Sequence, residues 1–399
     1  MLGADYMVIV MPSPTQGMVE DDVRITGLFL AFALLAVTFS PAEAQTTAQT
    51  TTPARTPMPV GVAGLTHDHA YGLFNALKRG DITVVGIAEP NRALAQRYAD
   101  KYGFSMDIVY DDLATMLDKT HPVAVLGFGD IASHRQVVEA AAPRGIHVMV
   151  EKPLAVDPQD ARAMAALAHQ YHIQLLTNYE TTWYATTAQA GAMVADGSQT
   201  GPVRRMVFHD GHEGPVKIGV SADFLNWLTD PVKNGGGAIV DFGCYGANLM
   251  TWLTQGQRPV SVTAITRHFQ PDVYPRVDDD ATIIVDYPAA QGIAEASWDW
   301  PGGRKDMEIY GVKGQIIAED RHRMLVRGMT ADSEHEIDLD ERTAPYDDPF
   351  AYFRAVIEGQ VKPGPYDPSS LDNNLLVVEI LDAAKRSAQT GQTVKLPAE

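Results

Sequence analysis

Apolar positions follow two different rhythms along this chain, and the change between them comes near residue 180. From Pro59 onward, short runs of apolar and β-branched residues alternate with longer stretches of helical spacing. The runs 59–64, 82–88, 108–110, 122–127, 146–150 and 173–178 predict strands, and 69–79, 92–102, 113–117, 134–142 and 158–171 predict helices. Leu94 and Tyr98 stand four apart in 92–102 and so share one helix face. Strands separated by helices at this interval predict an α/β domain with a parallel, doubly wound sheet.

Beyond residue 180 the β-rich runs lengthen: 203–209, 260–268, 281–287, 292–298, 306–310 and 315–318. Pro301-Gly302-Gly303 and Val312-Lys313-Gly314 mark sharp turns between them. They predict an α+β domain on a large, mainly antiparallel sheet with one face free for a site. Helical runs at 350–358 and 371–387 close it. The expected organisation is a sheet domain over 59–180 and a substrate and oligomerisation domain over 181–399, with no internal repeat. A length of 399 residues, too long for one ordinary core, agrees.

Charge and composition change the picture at the N-terminus and in the choice of partner. A net charge of −19 gives no basic footprint for nucleic acid and repels anionic membrane surfaces. The apolar run from Gly27 to Phe39 is short for a bilayer span and leads into Ala42-Glu43-Ala44, so 1–44 reads as a cleavable signal peptide; a membrane anchor is the competing reading. Glu20, Asp21 and Asp22 are foreign to the charged end of such a signal, which puts the expected translation start near Val23. Cleavage would remove five acids and one base and leave −15. Residues 45–58 then form a flexible Thr/Pro linker. No twin arginine precedes the run, so the expected location is periplasmic or secreted, reached by an unfolded chain. Cys244, the sole cysteine, allows no internal disulfide.

Candidate chemistry gathers at the predicted strand ends. The strand 146–150 runs into Glu151-Lys152-Pro153, and a lysine at the carboxyl end of such a strand stands where open α/β sheets bind ligands. The first strand runs into Gly64-Leu65-Thr66-His67-Asp68-His69. Gly64 suits the bend of a dinucleotide turn, Thr66 replaces the second glycine, and the helix start still offers amides to an anion. Two readings compete for the histidines. In one, His67, Asp68 and His69 bind metal or substrate; in the other, Thr66 or Asp68 caps the helix and the histidines line the cleft. No Cys or His pair elsewhere has metal spacing, and no metal is expected. Glu89 ends the second strand about 25 residues beyond Gly64, placed either for ribose hydroxyls or as a helix cap. Gly127-Phe128-Gly129-Asp130 and Ser133-His134 follow the fourth strand, and Gly235-Gly236-Gly237 leads to Asp241-Phe242-Gly243-Cys244-Tyr245.

The Glu-Lys-Pro run, the triple glycine with its Asp-x-Gly-x-Tyr, and the closing Gly391-Gln392-Thr393-Val394 resemble the Gfo/Idh/MocA family over nearly everything from Pro59 to Pro397. The resemblance implies a Rossmann-like first domain and a nicotinamide cofactor, NAD or NADP, with Glu89 favouring NAD. It implies cofactor contacts from Gly64, Thr66, His67, Glu89, Gly127, His134 and Glu151, and a Lys152–Pro153 bond in the cis form. Lys152 would face the substrate, Asp241 would orient Lys152 or a sugar hydroxyl, and Tyr245 stands at the family's histidine position. Tyr245 is then the base, helped by the nearby Lys152 charge, or a packing tyrosine. His69, Asn178, Trp183 and His212 are the expected substrate contacts, with Glu180, His209, Asp210, Trp298 and Trp300 as weaker ones. The expected function is an exported NAD(P)-dependent oxidoreductase on a small-molecule carbohydrate (sugar, glycoside or polyol), acting as a possible homo-oligomer. A redox-inactive carbohydrate-binding protein and a non-redox lyase or hydrolase are the alternatives.

Overall fold

The computed structural model describes residues 56–330 and 333–397. The expected signal peptide over 1–44 and residues 45–55 of the expected linker lie outside the described residues. The first half alternates as its pattern predicts: β1 (Met58–Ala63), α1 (Ala70–Ala76), β2 (Ile82–Ala88), α2 (Arg92–Tyr102), β3 (Val109–Tyr110), α3 (Leu113–Thr120), β4 (Ala124–Gly127), α4 (His134–Ala141), β5 (His147–Glu151), α5 (Pro158–Tyr171) and β6 (Leu175–Asn178). The strands are all parallel, in the order β3-β2-β1-β4-β5-β6. Their order reverses between β1 and β4, which opens a ligand crevice at the carboxyl ends of those strands. Val60, Val62, Val125, Val148 and Val150 are buried, as strands covered on both faces require. Asn91, Asp112 and Asp157 start α2, α3 and α5 by accepting backbone N–H groups.

The second half contains α6 (Ala185–Asp196), β7 (Val203–Gly211), α7 (Pro215–Ile218), α8 (Ala222–Leu228), α9 (Ala238–Asp241), α10 (Gly243–Leu253), β8 (Ser261–Arg267), β9 (Asp280–Asp286), β10 (Gln291–Ser297), β11 (Arg304–Gly311), β12 (Gln315–Ala318), β13 (Arg323–Arg327), β14 (His335–Asp338), α11 (Pro349–Ile357), α12 (Leu371–Thr390) and β15 (Val394–Lys395). Nine strands form one sheet, ordered β14-β13-β12-β11-β7-β10-β9-β8-β15. Every pair is antiparallel except β7 with β10. Burial alternates along the strands, as in β9, where Ala281, Ile283 and Val285 face inward. On that inner face α10 packs against Phe208 and Ala294 in one apolar cluster.

The chain's end ties the two sheets together. Phe350, Tyr352, Phe353 and Val356 of α11 join the cluster of Val60, Val62 and Leu73 on the first sheet. Arg354 donates to Asp81 O at 2.8 Å and to Thr56 O at 3.0 Å. Val378 of α12 reaches the opposite face of the same sheet. Among the described residues no helix is long and apolar enough to cross a membrane.

Candidate active site

The inner face of the large sheet meets the crevice above β4 and β5, and two buried charges join there. Lys152 is 6% exposed, and the Lys152–Pro153 bond is cis. Its Nζ donates to Asp241 O at 2.9 Å and to Asp241 Oδ1. Trp298, fully buried, donates from Nε1 to Asp241 Oδ2 at 2.9 Å. Burial alone would lower the Lys152 pKa, but the Asp241 charge overrides it and holds the ammonium above its ordinary value. Burial would likewise raise Asp241, and Lys152 holds it low. The pair is therefore ionised.

Asp241 is placed by the triple glycine. Asp278 accepts from Gly237 N at 2.9 Å and from Ile239 N at 2.7 Å, fixing the start of α9. A Cβ on Gly237 would stand 1.8 Å from Asp278 O, so only glycine fits. Four residues past Asp241, Tyr245 is 1% exposed, with its ring edge against Tyr179 at 5.6 Å. Lys152 Nζ lies 5.2 Å from the Tyr245 ring centroid, and Lys305 Nζ lies 4.8 Å from it. The expectation that Lys152 draws the phenol toward phenolate is corrected: burial, then the charge of Glu180, pushes the Tyr245 pKa well above its ordinary value. Two of the lysine's three donors go to Asp241.

Lys305 is a site residue that the sequence reading misses. It stands opposite Asp210 in the β11–β7 register and pairs with Glu180, which also accepts from Tyr184 Oη at 2.6 Å. Burial would raise Glu180, but Lys305 holds it down at about 2. Asp210, 3% exposed, makes no side-chain hydrogen bond among the described residues, and burial pushes its pKa well up. The signal was available: Lys305, Met307 and Ile309 alternate along one strand, so the lysine shares the buried face of the other two.

Around Glu151 the expected substrate contacts turn inward. Glu151 Oε1 accepts from Asn178 Nδ2 at 2.9 Å, and Asn178 Oδ1 accepts from Trp183 Nε1 at 2.9 Å. Trp183 packs on Tyr352 at 5.3 Å within the first sheet's core. Asn178 and Trp183 thus orient Glu151 and spend their polar atoms doing so. The other Glu151 oxygen, Oε2, lies 2.8 Å from His69 Nδ1. Glu151 stays below its ordinary pKa because His69, Asn178 and Lys152 together outweigh burial. His209 faces away from the crevice, bonded to Asp306 at 3.0 Å, because Asp210 takes the inward position of the strand. His212 is half-buried against Phe242 at 4.9 Å, and its Nδ1 accepts from Gly214 N at 2.9 Å. Trp300 is half-buried, with its N–H on His212 O at 3.3 Å.

The turn after β1 keeps features that suit a dinucleotide. Gly64 has φ 82, and a Cβ there would stand 2.9 Å from Gly129 N, so the turn lies tight against the end of β4. The amides of Thr66 and Asp68 find no acceptor among the described residues. His134 is fully buried, with Nδ1 on Leu154 O at 3.2 Å and Nε2 unpartnered. Burial pushes its pKa down to about 4, so it is neutral. These residues fit a pyrophosphate and a polar ring edge. Two contacts work against easy entry. Glu89 is spent on Leu65 N at 2.9 Å and Asn91 N at 2.8 Å. α8 lies over the turn, with Trp227 Nε1 on Thr66 O at 3.3 Å and Asp68 accepting from Ser221 N at 2.9 Å.

His67, packed between Phe224 and Trp227, is held neutral by burial. His67, His69 and Glu151 present ligand atoms within 4.8 Å of one another. However, His67 Nδ1 accepts the His69 N–H at 3.1 Å, so the ring's proton sits on Nε2. That leaves His67 no lone pair for an ion, and the trio is better described as a hydrogen-bonded chain.

A parallel sheet with a phosphate-type turn and Lys152 at a strand end, packed on a larger sheet whose inner-face helices bring Asp241 and Tyr245 to that lysine, defines an α/β fold of the dinucleotide-binding type. Two family models match: the oxidoreductase family with an NAD-binding Rossmann fold over residues 59–179, and the GFO/IDH/MocA C-terminal domain over 187–317. The chain belongs to the GFO/IDH/MocA family. It is 26% identical over 232 residues to trans-1,2-dihydrobenzene-1,2-diol dehydrogenase of Oryctolagus cuniculus, covering 57% of this chain and 64% of that one. With 1,5-anhydro-D-fructose reductase of Ensifer adhaerens it shares 25% over 277 residues, covering 66% and 76%. The chain thus spans a little under two thirds of the dihydrodiol dehydrogenases it matches. Its fold is that of the aldose-aldose oxidoreductase from Caulobacter crescentus, solved with glycerol (TM-score 0.72, 22% identity, 85% of this chain and 100% of that one). An inositol dehydrogenase homolog from Azotobacter vinelandii, complexed with NAD+, gives a TM-score of 0.74 at 18% identity, over 86% and 98%.

Proposed function

We propose that this chain is an exported NAD(P)-dependent oxidoreductase acting at a hydroxyl-bearing carbon of a sugar, glycoside or polyol. The observation that carries this reading is the buried Lys152–Asp241 pair, made between the two sheets and set beside the Tyr245 ring. The relatives' names, a diol dehydrogenase and an anhydrofructose reductase, point to the same kind of substrate. Gly64, the Thr66 and Asp68 amides, Gly127 and His134 would hold the dinucleotide, while Glu89 and Glu151, their oxygens already bonded within the chain, shape the turn around it. When bound, it supplies the hydride acceptor at its nicotinamide ring.

The rest of the work falls to this chain's own groups. An ammonium has three donors, and Asp241 takes two from Lys152. The third remains for the reacting hydroxyl oxygen, where a fixed positive charge stabilises developing alkoxide. Lys305, Glu180 and the unspent Asp210 carboxyl supply donors and acceptors for neighbouring hydroxyls. Together these groups hold the substrate in one pose, which lowers the entropic part of the barrier.

Isothermal titration of the full protein with NAD+ and with NADP+ is the test, followed by turnover with aldoses and inositols. Binding of one dinucleotide at or below millimolar concentration is the expected result. No binding of either would end the oxidoreductase reading. The packing of α8 on the turn favours a second reading, a carbohydrate-binding protein without redox turnover, and sugar binding in the absence of any dinucleotide binding would support that one. Export is our reading of residues 1–44, and N-terminal sequencing of the secreted protein should begin at Gln45.

A further inference from the structure

We propose that His69 and Glu151 form the acid–base couple of this site, with His69 Nε2 exchanging the hydroxyl proton that Tyr245 is poorly suited to take. The proposal rests on the oxidoreductase reading above. It starts from a chain of directed hydrogen bonds: Trp183 Nε1 to Asn178 Oδ1, Asn178 Nδ2 to Glu151 Oε1, and His69 Nδ1 to Glu151 Oε2, at 2.9, 2.9 and 2.8 Å. Glu151 is 2% exposed, so its carboxylate is fixed by these partners and screened from water. The main chain is pinned as well, because His69 N donates to His67 Nδ1 at 3.1 Å.

A neutral imidazole that donates from Nδ1 to a carboxylate carries its lone pair on Nε2. The His69 side chain is 41% exposed, and its Nε2 meets no acceptor or donor among the described residues. The free end of the couple is therefore open. Its partner Glu151 ends β5 next to Lys152, whose Nζ lies 5.2 Å from the Tyr245 ring centroid, so the couple stands at the same strand end as the ammonium. The charged and titratable neighbours are His67 and Asp68 on its own turn, Glu151 at the end of β5 with Lys152 next to it, and Glu180 after β6. The His67 ring lies 4.4 Å from the imidazole, and Glu151 hydrogen-bonds it; a buried carboxylate there stabilises the imidazolium formed by proton uptake.

The step balances as follows. The substrate O–H bond breaks toward His69 Nε2, the oxygen's electron pair closes the carbonyl, and the hydride on carbon leaves for the nicotinamide acceptor. The substrate loses two electrons and the dinucleotide gains them. The imidazolium, paired with Glu151, keeps the proton until solvent takes it through the exposed ring edge. Lys152 holds the oxygen meanwhile. In this arrangement the imidazole of the acid–base group enters from the cofactor turn, while position 245 supplies a phenol from the other domain.

Two measurements test the couple. The first needs no cofactor: 15N NMR of the histidines in the full chain should show His69 with its proton on Nδ1, and Glu151→Gln should redistribute that proton between the two nitrogens. The second is kinetic. His69→Ala should cut kcat by about 10²- to 10⁴-fold, leave the dinucleotide dissociation constant within about threefold, and recover activity when free imidazole is added. A His69 proton on Nε2 in the wild type would overturn the couple, as would turnover within about threefold of wild type in His69→Ala. Stoichiometric bound metal lost on His69→Ala would also overturn it. If the chain binds no dinucleotide, the oxidoreductase reading falls in the titration, and the NMR result still decides whether the couple exists.

Discussion

Taking either charge out of the Lys152–Asp241 pair should cost far more than removing a surface ion pair. Both side chains are at least nine-tenths buried, and Trp298 is the other side chain that bonds the Asp241 carboxylate among the described residues. Lys152→Met therefore strands a buried carboxylate, and Asp241→Asn leaves the ammonium facing a neutral amide and the residue 241 carbonyl. Losing one partner of such a pair costs about 3–5 kcal/mol, against about 1 kcal/mol or less for an exposed pair. In a protein stable by about 5–15 kcal/mol, that loss is large. Lys152→Met/Asp241→Asn removes both charges, and its cost should fall short of the sum of the single losses by about 2 kcal/mol or more. Urea unfolding followed by tryptophan fluorescence measures all four corners of the cycle. The pH dependence has a definite sign. Asp241 is held low, so its contribution is present above its unfolded pKa of about 3.9 and is lost as pH falls through the folded value. Lys152 is held high, so its contribution is present below about 10.4 and is lost as pH rises through the folded value. The gap between wild type and Lys152→Met should thus be flat from about pH 5 to 9. Single losses under about 1 kcal/mol that simply add would mean a solvated pair and refute the reasoning.

His134 supplies an acid-side prediction. Its folded pKa of about 4 lies below the ordinary 6.5, so the unfolded chain takes up a proton first and stability falls between pH 6.5 and 4. The 2.5-unit difference corresponds to about 3 kcal/mol, and wild type should lose that much more than His134→Gln between pH 7 and pH 4 in urea titrations; equal losses would show that His134 is not held neutral. Gly64→Ala forces an L side chain into φ 82 with its Cβ 2.9 Å from Gly129 N. The backbone strain alone is about 1–2 kcal/mol, so the variant should unfold earlier in urea and bind dinucleotide more weakly, and a change below about 0.5 kcal/mol would mean that the turn is loose.

The first domain was legible because its local signals agree with one another. Strands covered on both faces read as unbroken apolar runs, and helices capped by Asn91, Asp112 and Asp157 begin where their capping residues stand, so 82–88, 92–102 and 158–171 match the observed bounds. The second half was legible where strands are half-buried and in the two closing helices. α10 is buried from Gly243 through Thr251 and so has no polar face to give it a helical period. α6 is in the same position, with Ala185, Thr186, Thr187 and Ala190 buried in a stretch that carries little contrast. β13 and β14 are short strands at the sheet's edge, and β15 is a two-residue pairing that a sequence pattern cannot mark.

The candidate site divides along a different line. Lys152 stands at a strand end, which is readable from its pattern, whereas Asp241 and Tyr245 were singled out by the resemblance of their glycine-rich segment to the family. What the pattern could not give is how each polar atom is spent. Asn178 and Trp183 look like cleft residues in sequence, yet their polar atoms close a chain onto Glu151. Tyr245 looks like a base beside a lysine, yet that lysine is committed to Asp241, made between residues 89 apart. Hydrogen-bond partners at such separation leave no periodic trace, because each depends on where two elements from different domains come to rest. His69 illustrates the consequence. Its exposure belongs to the turn and its partner belongs to β5, so neither segment alone distinguishes a helix-start histidine from an oriented base. The distinction lies in which nitrogen carries the proton, and that is decided by a carboxylate 82 residues away.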